Sequence, residues 1–164
     1  MIFDLQKVFQ NIGERLEIER EISMSDIEID FIRPFASPVK IKAVAANRAS
    51  VVNLDITADF VYTRPCDRCI EPVTRDMHYE FHHKLVVTLH EEENDEYIET
   101  PDFKLELDEL AIADILLRLP SKYLCKEDCK GLCEKCGQDL NLGECGCDRR
   151  VIDPRLEKLK QLID

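Results

Sequence analysis

Eight cysteines are the residues of this 164-residue chain best placed to do chemistry, and they are unevenly spread. Six fall between Cys125 and Cys147, in CKEDCKGLCEKCGQDLNLGECGC, and the other two, Cys66 and Cys69, form a separate C-x-x-C far upstream. A thiolate can ligate a soft or borderline metal, exchange with a disulfide or attack an electrophile. In a C-x-x-C turn two sulfurs point at one ion while backbone amides face them. Cys133-Glu134-Lys135-Cys136-Gly137 is a second such turn, with Gly137 free to take the left-handed conformation that often follows the second ligand. Cys125 and Cys129, three residues apart in between, and Cys145 and Cys147, with one between, are less usual spacings, yet each pair can reach a common tetrahedral site.

Eight thiolates divide into two four-cysteine sites, and a closed all-thiolate shell leaves no position for water, which is the structural rather than the catalytic type of zinc site. Cys133, Cys136, Cys145 and Cys147 are near enough to close a loop by themselves, which leaves Cys66 and Cys69 with Cys125 and Cys129. A crosswise pairing of Cys66 and Cys69 with Cys133 and Cys136, and a single metal with four spare thiols, both stay open on spacing. Zinc is the expected metal, with an iron–sulfur cluster as its rival because four thiolates suit both.

The compartment supports metal over disulfides. MIFDLQKVFQNIGERLEIER carries charges throughout with no apolar h-region, and no run of about 18 apolar residues occurs, so a cytoplasmic protein without signal peptide or membrane span is expected. Reducing surroundings disfavour a covalent cysteine framework.

Other chemistry is thin. There is no G-x-S-x-G, H-E-x-x-H, G-x-x-x-x-G-K-[ST] or G-x-G-x-x-G, so the chain is read as a binding protein and not an enzyme. His78, His82, His83 and His90 gather around one stretch without a cysteine or carboxylate at ligand spacing, and are read as surface or partly packed residues. The net charge of −12 is local in origin, much of it in the HEEENDEY run ending at Tyr97, which reads as a solvated linker. The C-terminal region is balanced. Its cations Lys126, Lys130, Lys135, Arg149 and Arg150, with Lys122, Arg155, Lys158 and Lys160 nearby, are the candidate nucleic-acid contacts. Two loaded four-thiolate sites would add about −4 there, which weakens phosphate attraction.

The elements that must position these cysteines are mostly strands. Residues 1–12 have the spacing of a short amphipathic helix ended by Gly13. Alternation then predicts strands over Leu16–Ile22, Ile27–Phe31, Val39–Ala45, Val52–Tyr62, Phe81–Leu89 and Phe103–Leu107, with a turn at Ala46–Ser50. Asp108 is expected to N-cap a helix running to Leu119 and stopped by Pro120, and Asp153 with Pro154 to begin a short terminal helix to Ile163. The expected fold is α+β: an antiparallel sheet bent into a sandwich or partial barrel, one covering helix, a cysteine-rich zinc knob and the terminal helix. Residues 1–121 would form the β domain and 122–164 a metal-binding module packed on it, as one folding unit.

The order CDRCIEP (Cys66–Pro72), an acidic stretch, DELAIADILLRLP (Asp108–Pro120), CKEDCKGLCEKCGQDLN (Cys125–Asn141), CGC and DPRL resembles the YceD family over essentially the whole chain. The cysteine-rich part carries the specificity. The resemblance implies a non-enzymatic role in accumulation of large-subunit ribosomal RNA, with ribosomal RNA, a large-subunit ribosomal protein or a precursor particle as partner. It also implies that Cys66, Cys69 and Cys129 are core ligands, since some relatives keep the first C-x-x-C and a Cys or His near Cys129 but lack the later cysteines. The alternative reading from the residues is a thiol-based redox or metal-responsive switch that releases zinc on oxidation.

Overall fold

The computed structural model describes residues 1–48, 51–88 and 97–147. The chain divides into two compact units. One is Met1–Arg64 with Val73–Ser121; the other is Pro65–Pro72 with the described residues from Lys122.

The first unit is mostly sheet. Strands β1 (Ile2–Asp4), β2 (Arg15–Ile22), β3 (Val39–Arg48), β4 (Val51–Pro65), β5 (Pro72–Val86), β6 (Tyr97–Glu99) and β7 (Lys104–Glu106) are joined by helices α1 (Gln6–Gln10) and α2 (Leu107–Arg118). A five-stranded sheet in the order β2-β3-β4-β5-β6 curls into a half-barrel, and β1 pairs with β7 in a separate two-stranded ladder. Register is set by alternation, because a one-residue slip would turn every apolar side chain to the wrong face. Ala43 sits opposite Ile18 and Ile56, and Ala45 opposite Leu16 and Leu54. On β4, Val52, Leu54, Ile56, Ala58, Phe60 and Tyr62 are all buried. Small alanines on β3 facing larger residues on β4 suit the concave side of a curled sheet. Phe35, Phe60 and Tyr62 pack at 5.4–6.4 Å between ring centres, Tyr62 edge-to-face with both phenylalanines, extending this core to the segment before β3.

Several expectations fail for physical reasons. The first twelve residues are a strand and a short helix, because Phe3 pairs with Leu105 across β1 and β7 while Leu5 and Val8 are buried. Phe103–Leu107 therefore joins β1 instead of the main sheet. Ile27–Phe31 is no strand: Ile29 and Ile32 exchange backbone hydrogen bonds of 2.8 and 3.0 Å around a two-residue turn. The sheet is not wholly antiparallel, since β6 runs parallel to β5 with Leu85 opposite Ile98. α2 begins at Leu107 without a side-chain cap and ends at Arg118. Asp108 instead forms an ion pair of 3.2 Å with Arg20. Buried Leu107, Ala111 and Ile115 line one side of α2, and His83 of β5 meets Asp114 at 2.7 Å. The acidic run up to Glu96, together with Leu89 and His90, lies outside the described residues, as does the expected terminal helix.

Candidate metal centres

All eight cysteines belong to the second unit. Cys66, Cys69, Cys125 and Cys129 bring their sulfurs within 4.8 Å of one another, and Cys133, Cys136, Cys145 and Cys147 form a second such group. Within the first group Cys66 lies 3.8 Å from Cys129 and Cys69 lies 3.6 Å from Cys125. A tetrahedral ion with metal–sulfur bonds of about 2.3 Å separates its sulfurs by roughly 3.8 Å. Both clusters are thus positioned to bind a metal ion, and the grouping is the one that local loop closure favours over the crosswise pairing.

The two C-x-x-C turns close identically. Cys66 N–H donates to Glu71 O at 2.8 Å and Ile70 N–H to Cys66 O at 2.9 Å. Cys133 N–H donates to Gln138 O and Gly137 N–H to Cys133 O, both at 2.8 Å. The residue after the second cysteine must take positive φ in each, 73° at Gly137 but 64° at Ile70. Glycine takes this conformation freely, whereas a β-branched side chain is strained in it.

These turns aim amides at sulfur, which stabilises the thiolate. Burial pushes the Cys66 thiol up, but N–H groups of Arg68, Cys125 and Cys69 outweigh it and lower Cys66 to about 6. N–H groups of Cys136 and Lys135 likewise lower Cys133 to about 6. The Cys147 thiol donates to Cys136 and Cys145, which holds it protonated and pushes it up to about 12. At Cys69 the Glu71 amide pulls downward, yet burial and the neighbouring thiols leave it raised to about 12. The first cluster therefore favours the thiolate at Cys66 and Cys129 and the second at Cys133, and an ion must displace protons from the raised thiols.

Residues that spacing did not single out hold the first cluster together. Asp67 exchanges bonds with Tyr123, its N–H donating to Tyr123 O at 2.9 Å and its carboxylate accepting from Tyr123 N–H at 2.6 Å. Arg68 donates to Cys129 O at 2.7 Å, and its own carbonyl accepts from Leu132 N–H at 3.1 Å. Gly131 packs so closely that an added Cβ would lie 2.9 Å from Arg68 O. Asn141, inside the Cys136–Cys145 loop, donates from Nδ2 to Cys129 Sγ at 3.4 Å and accepts Lys130 N–H on Oδ1 at 2.9 Å. That donation is the first cause of the lowered Cys129 thiol. No cysteine pattern could have flagged it.

Exposure separates the clusters. Cys66, Cys69 and Cys129 are buried, while in the second group Cys136 is exposed and Cys145 and Cys147 are half-exposed. Lys126, Lys130 and Lys135 are exposed but interleaved with exposed Glu127, Asp128 and Glu134. Arg149 and Arg150 lie outside the described residues. In the first unit His78 meets Asp59 at 2.6 Å and His82 meets Asp55 at 2.7 Å, carboxylates supplied across strands and so invisible to linear spacing.

Residues 54–163 match the family described as Large ribosomal RNA subunit accumulation protein YceD, and the chain belongs to this family. It is 27% identical over 146 residues to uncharacterized proteins of Mycobacterium tuberculosis and Mycobacterium bovis, covering 77% of this chain and 70% of each relative. No solved structure matches it.

Proposed function

We propose that this member of the YceD family is a non-enzymatic ribosome-assembly factor that supports accumulation of large-subunit ribosomal RNA, with its cysteine unit held by two zinc ions. The family description supplies the process. The pair of four-cysteine clusters carries the zinc reading, because four sulfurs within 4.8 Å of one another, with pairs at 3.6 and 3.8 Å in the first group, suit one tetrahedral ion, whereas a cluster of several irons would spread its cysteines over different metals. The ions would be structural: a shell with no open position offers no site for activating water. Cys66, Cys69, Cys125 and Cys129 would bind one, and Cys133, Cys136, Cys145 and Cys147 the other. No helix among the described residues is long and apolar enough to cross a membrane, and a cytoplasmic site of action suits ribosome assembly.

Binding to a precursor large subunit, through RNA or ribosomal protein, is the expected mode of action. Lys126, Lys130 and Lys135 are the described candidates for phosphate contact, opposed by the acids among them. Depletion of the protein should lower large-subunit ribosomal RNA, and the complementing chain should co-sediment with precursor large subunits. Unchanged ribosomal RNA together with no association would overturn the reading. The exposed Cys136 favours one competing reading, a thiol switch. Metal analysis of protein purified under reducing conditions, followed by peroxide titration, separates the two, since two equivalents of inert zinc would exclude the switch.

A further inference from the structure

The turn at Asp30 and Phe31 makes little sense as folding chemistry. Both residues have positive φ, 51° and 64°, and the flanking Ile29 and Ile32 exchange two backbone hydrogen bonds, the pattern of a two-residue hairpin turn that favours Asn-Gly. Phenylalanine in this conformation is strained, because its Cβ crowds the following carbonyl. Packing does not compensate, since Phe31 is 96% exposed. Single exposed apolar residues are ordinary on protein surfaces, but one that also strains its backbone is not. The base of the hairpin is firm: Met24 and Phe35 are buried, Thr63 N–H donates to Pro34 O at 3.0 Å, and Arg64 reaches Asp30 at 3.4 Å. The fold thus presents an aromatic side chain on a supported tip.

Charge selects what could cover it. Residues 1–64 and 73–121 hold 12 basic against 23 acidic groups, which is −11 of the chain's −12. Around the tip, Asp26, Glu28 and Asp30 are exposed, and exposed Arg33 lies 3.9 Å from Glu28. A nucleic-acid base stacked on Phe31 would bring its phosphates against these carboxylates, and a second copy of the chain would bring another −12. A cationic protein meets no such opposition.

We propose that the Ile29–Ile32 hairpin is a protein-docking element whose anchor is Phe31 and whose occupant is a basic protein of the ribosomal kind, with an apolar pocket rimmed by Lys and Arg. The identity of that occupant rests on the assembly reading above. An aromatic anchor entering a desolvated pocket is the residue type that dominates interface energetics, and complementary charge around it steers the encounter.

Because the chain has no tryptophan, Phe31→Trp supplies a single fluorescent reporter at the tip. Large-subunit ribosomal proteins freed of RNA should shift its emission to the blue and shield it from acrylamide, whereas protein-free large-subunit ribosomal RNA should do neither. Phe31→Asn, which relieves the backbone, should bind the same proteins about 30-fold more weakly while unfolding roughly 2–4 °C higher. A merely structural Phe31 predicts the second change without the first. Wild-type affinity in Phe31→Asn, shielding by RNA, or no binding by either probe would overturn the proposal. If Phe31→Asn co-sediments with precursor particles as wild type does, docking through Phe31 fails and the assembly reading stands. If the wild-type chain never associates with those particles, the assembly reading fails, and docking is decided by the purified ribosomal proteins alone.

Discussion

Asn141→Leu tests whether the two cysteine clusters are separate sites or one coupled unit. Asn141 lies in the loop that the second cluster closes, yet its amide reaches Cys129, a member of the first. The orientation of that amide follows from its neighbours: Oδ1 takes Lys130 N–H at 2.9 Å, so Nδ2 faces the sulfur at 3.4 Å and the Asp139 carboxylate at 2.7 Å. Leucine of similar size removes the N–H···S bond and leaves Lys130 N–H without this acceptor. A hydrogen bond to a charged acceptor contributes about 1.5–3 kcal/mol, and because Asn141 is only half-buried the lower figure applies, which is roughly tenfold in affinity. That agrees with the 10- to 100-fold range for residues that orient metal ligands. The assay is transfer of bound zinc to a coloured chelator, followed as two phases of one equivalent each. Cys136→Ser, which opens the second cluster, identifies the phase belonging to the first. That phase should quicken about tenfold in Asn141→Leu, and the surviving phase of Cys136→Ser should itself outrun wild type, because the loop carrying Asn141 is no longer held. If Asn141→Leu leaves the first-cluster phase within twofold of wild type, or quickens only the other phase, the coupling argument is wrong.

Three further predictions concern stability. Cys69 and Cys125 are 56 residues apart, while Cys136 and Cys145 are nine apart, so an ion in the first cluster closes the longer loop and should stabilise by about 1.6 kcal/mol more on loop entropy; Cys129→Ser should lower the thermal midpoint more than Cys136→Ser, and equal losses would count against the argument. Gly131→Ala, where the added Cβ meets the Arg68 carbonyl, should destabilise by more than about 2 kcal/mol, whereas Gly137→Ala, at the same φ of 73° with open space around it, should lose only about 1 kcal/mol; similar losses in denaturant titrations would refute the clash. His78 is raised above its ordinary value first by its hydrogen bond to Asp59, so its contribution is complete below the unfolded value of 6.5 and is lost as pH rises through the higher folded one. His78→Gln should therefore lower the melting temperature at about pH 5.5 and much less near pH 8.5, and a pH-independent difference would sink the assignment.

What could be read from the sequence follows the range of the interactions. The clusters were legible because short C-x-x-C turns fix their own geometry, and loop length favours local closure at Cys133–Cys147. Strands β2 to β4 were legible because alternation over seven or more residues is a strong signal, whereas β5 is expected only from Phe81 although it begins at Pro72. The failures lie where a short segment takes its conformation from a distant partner. Phe103–Leu107 alternates like a sheet strand, but nothing local says that its partner is β1. Ile27–Phe31 alternates too, yet a tight turn reverses the chain within it, through two positive-φ residues whose types argue against such a turn. The His–Asp pairs and Asn141 belong to the same class, since each partner is delivered by tertiary register and not by spacing.

Each cluster offers four sulfurs, two of them from the same kind of C-x-x-C turn, so the surroundings of those sulfurs must decide how the clusters respond to an oxidant. A disulfide forms from two thiolates as peroxide takes their electrons and leaves as water, and access to the sulfur governs its rate. Three of the four sulfurs of the first group belong to buried cysteines, whereas Cys136 in the second is exposed. Under enough peroxide to displace zinc, the first equivalent to leave should be that of the second cluster, with Cys136 in the resulting disulfide. Because Asn141 reaches Cys129 from the loop of the oxidised cluster, the second equivalent should then leave faster than from protein never exposed to peroxide. Two equivalents that stay bound would mark both sites as purely structural. Simultaneous loss, or loss from the buried cluster first, would show that accessibility in the folded unit does not control the chemistry, and with it would go the argument that the second cluster is the more reactive of the two.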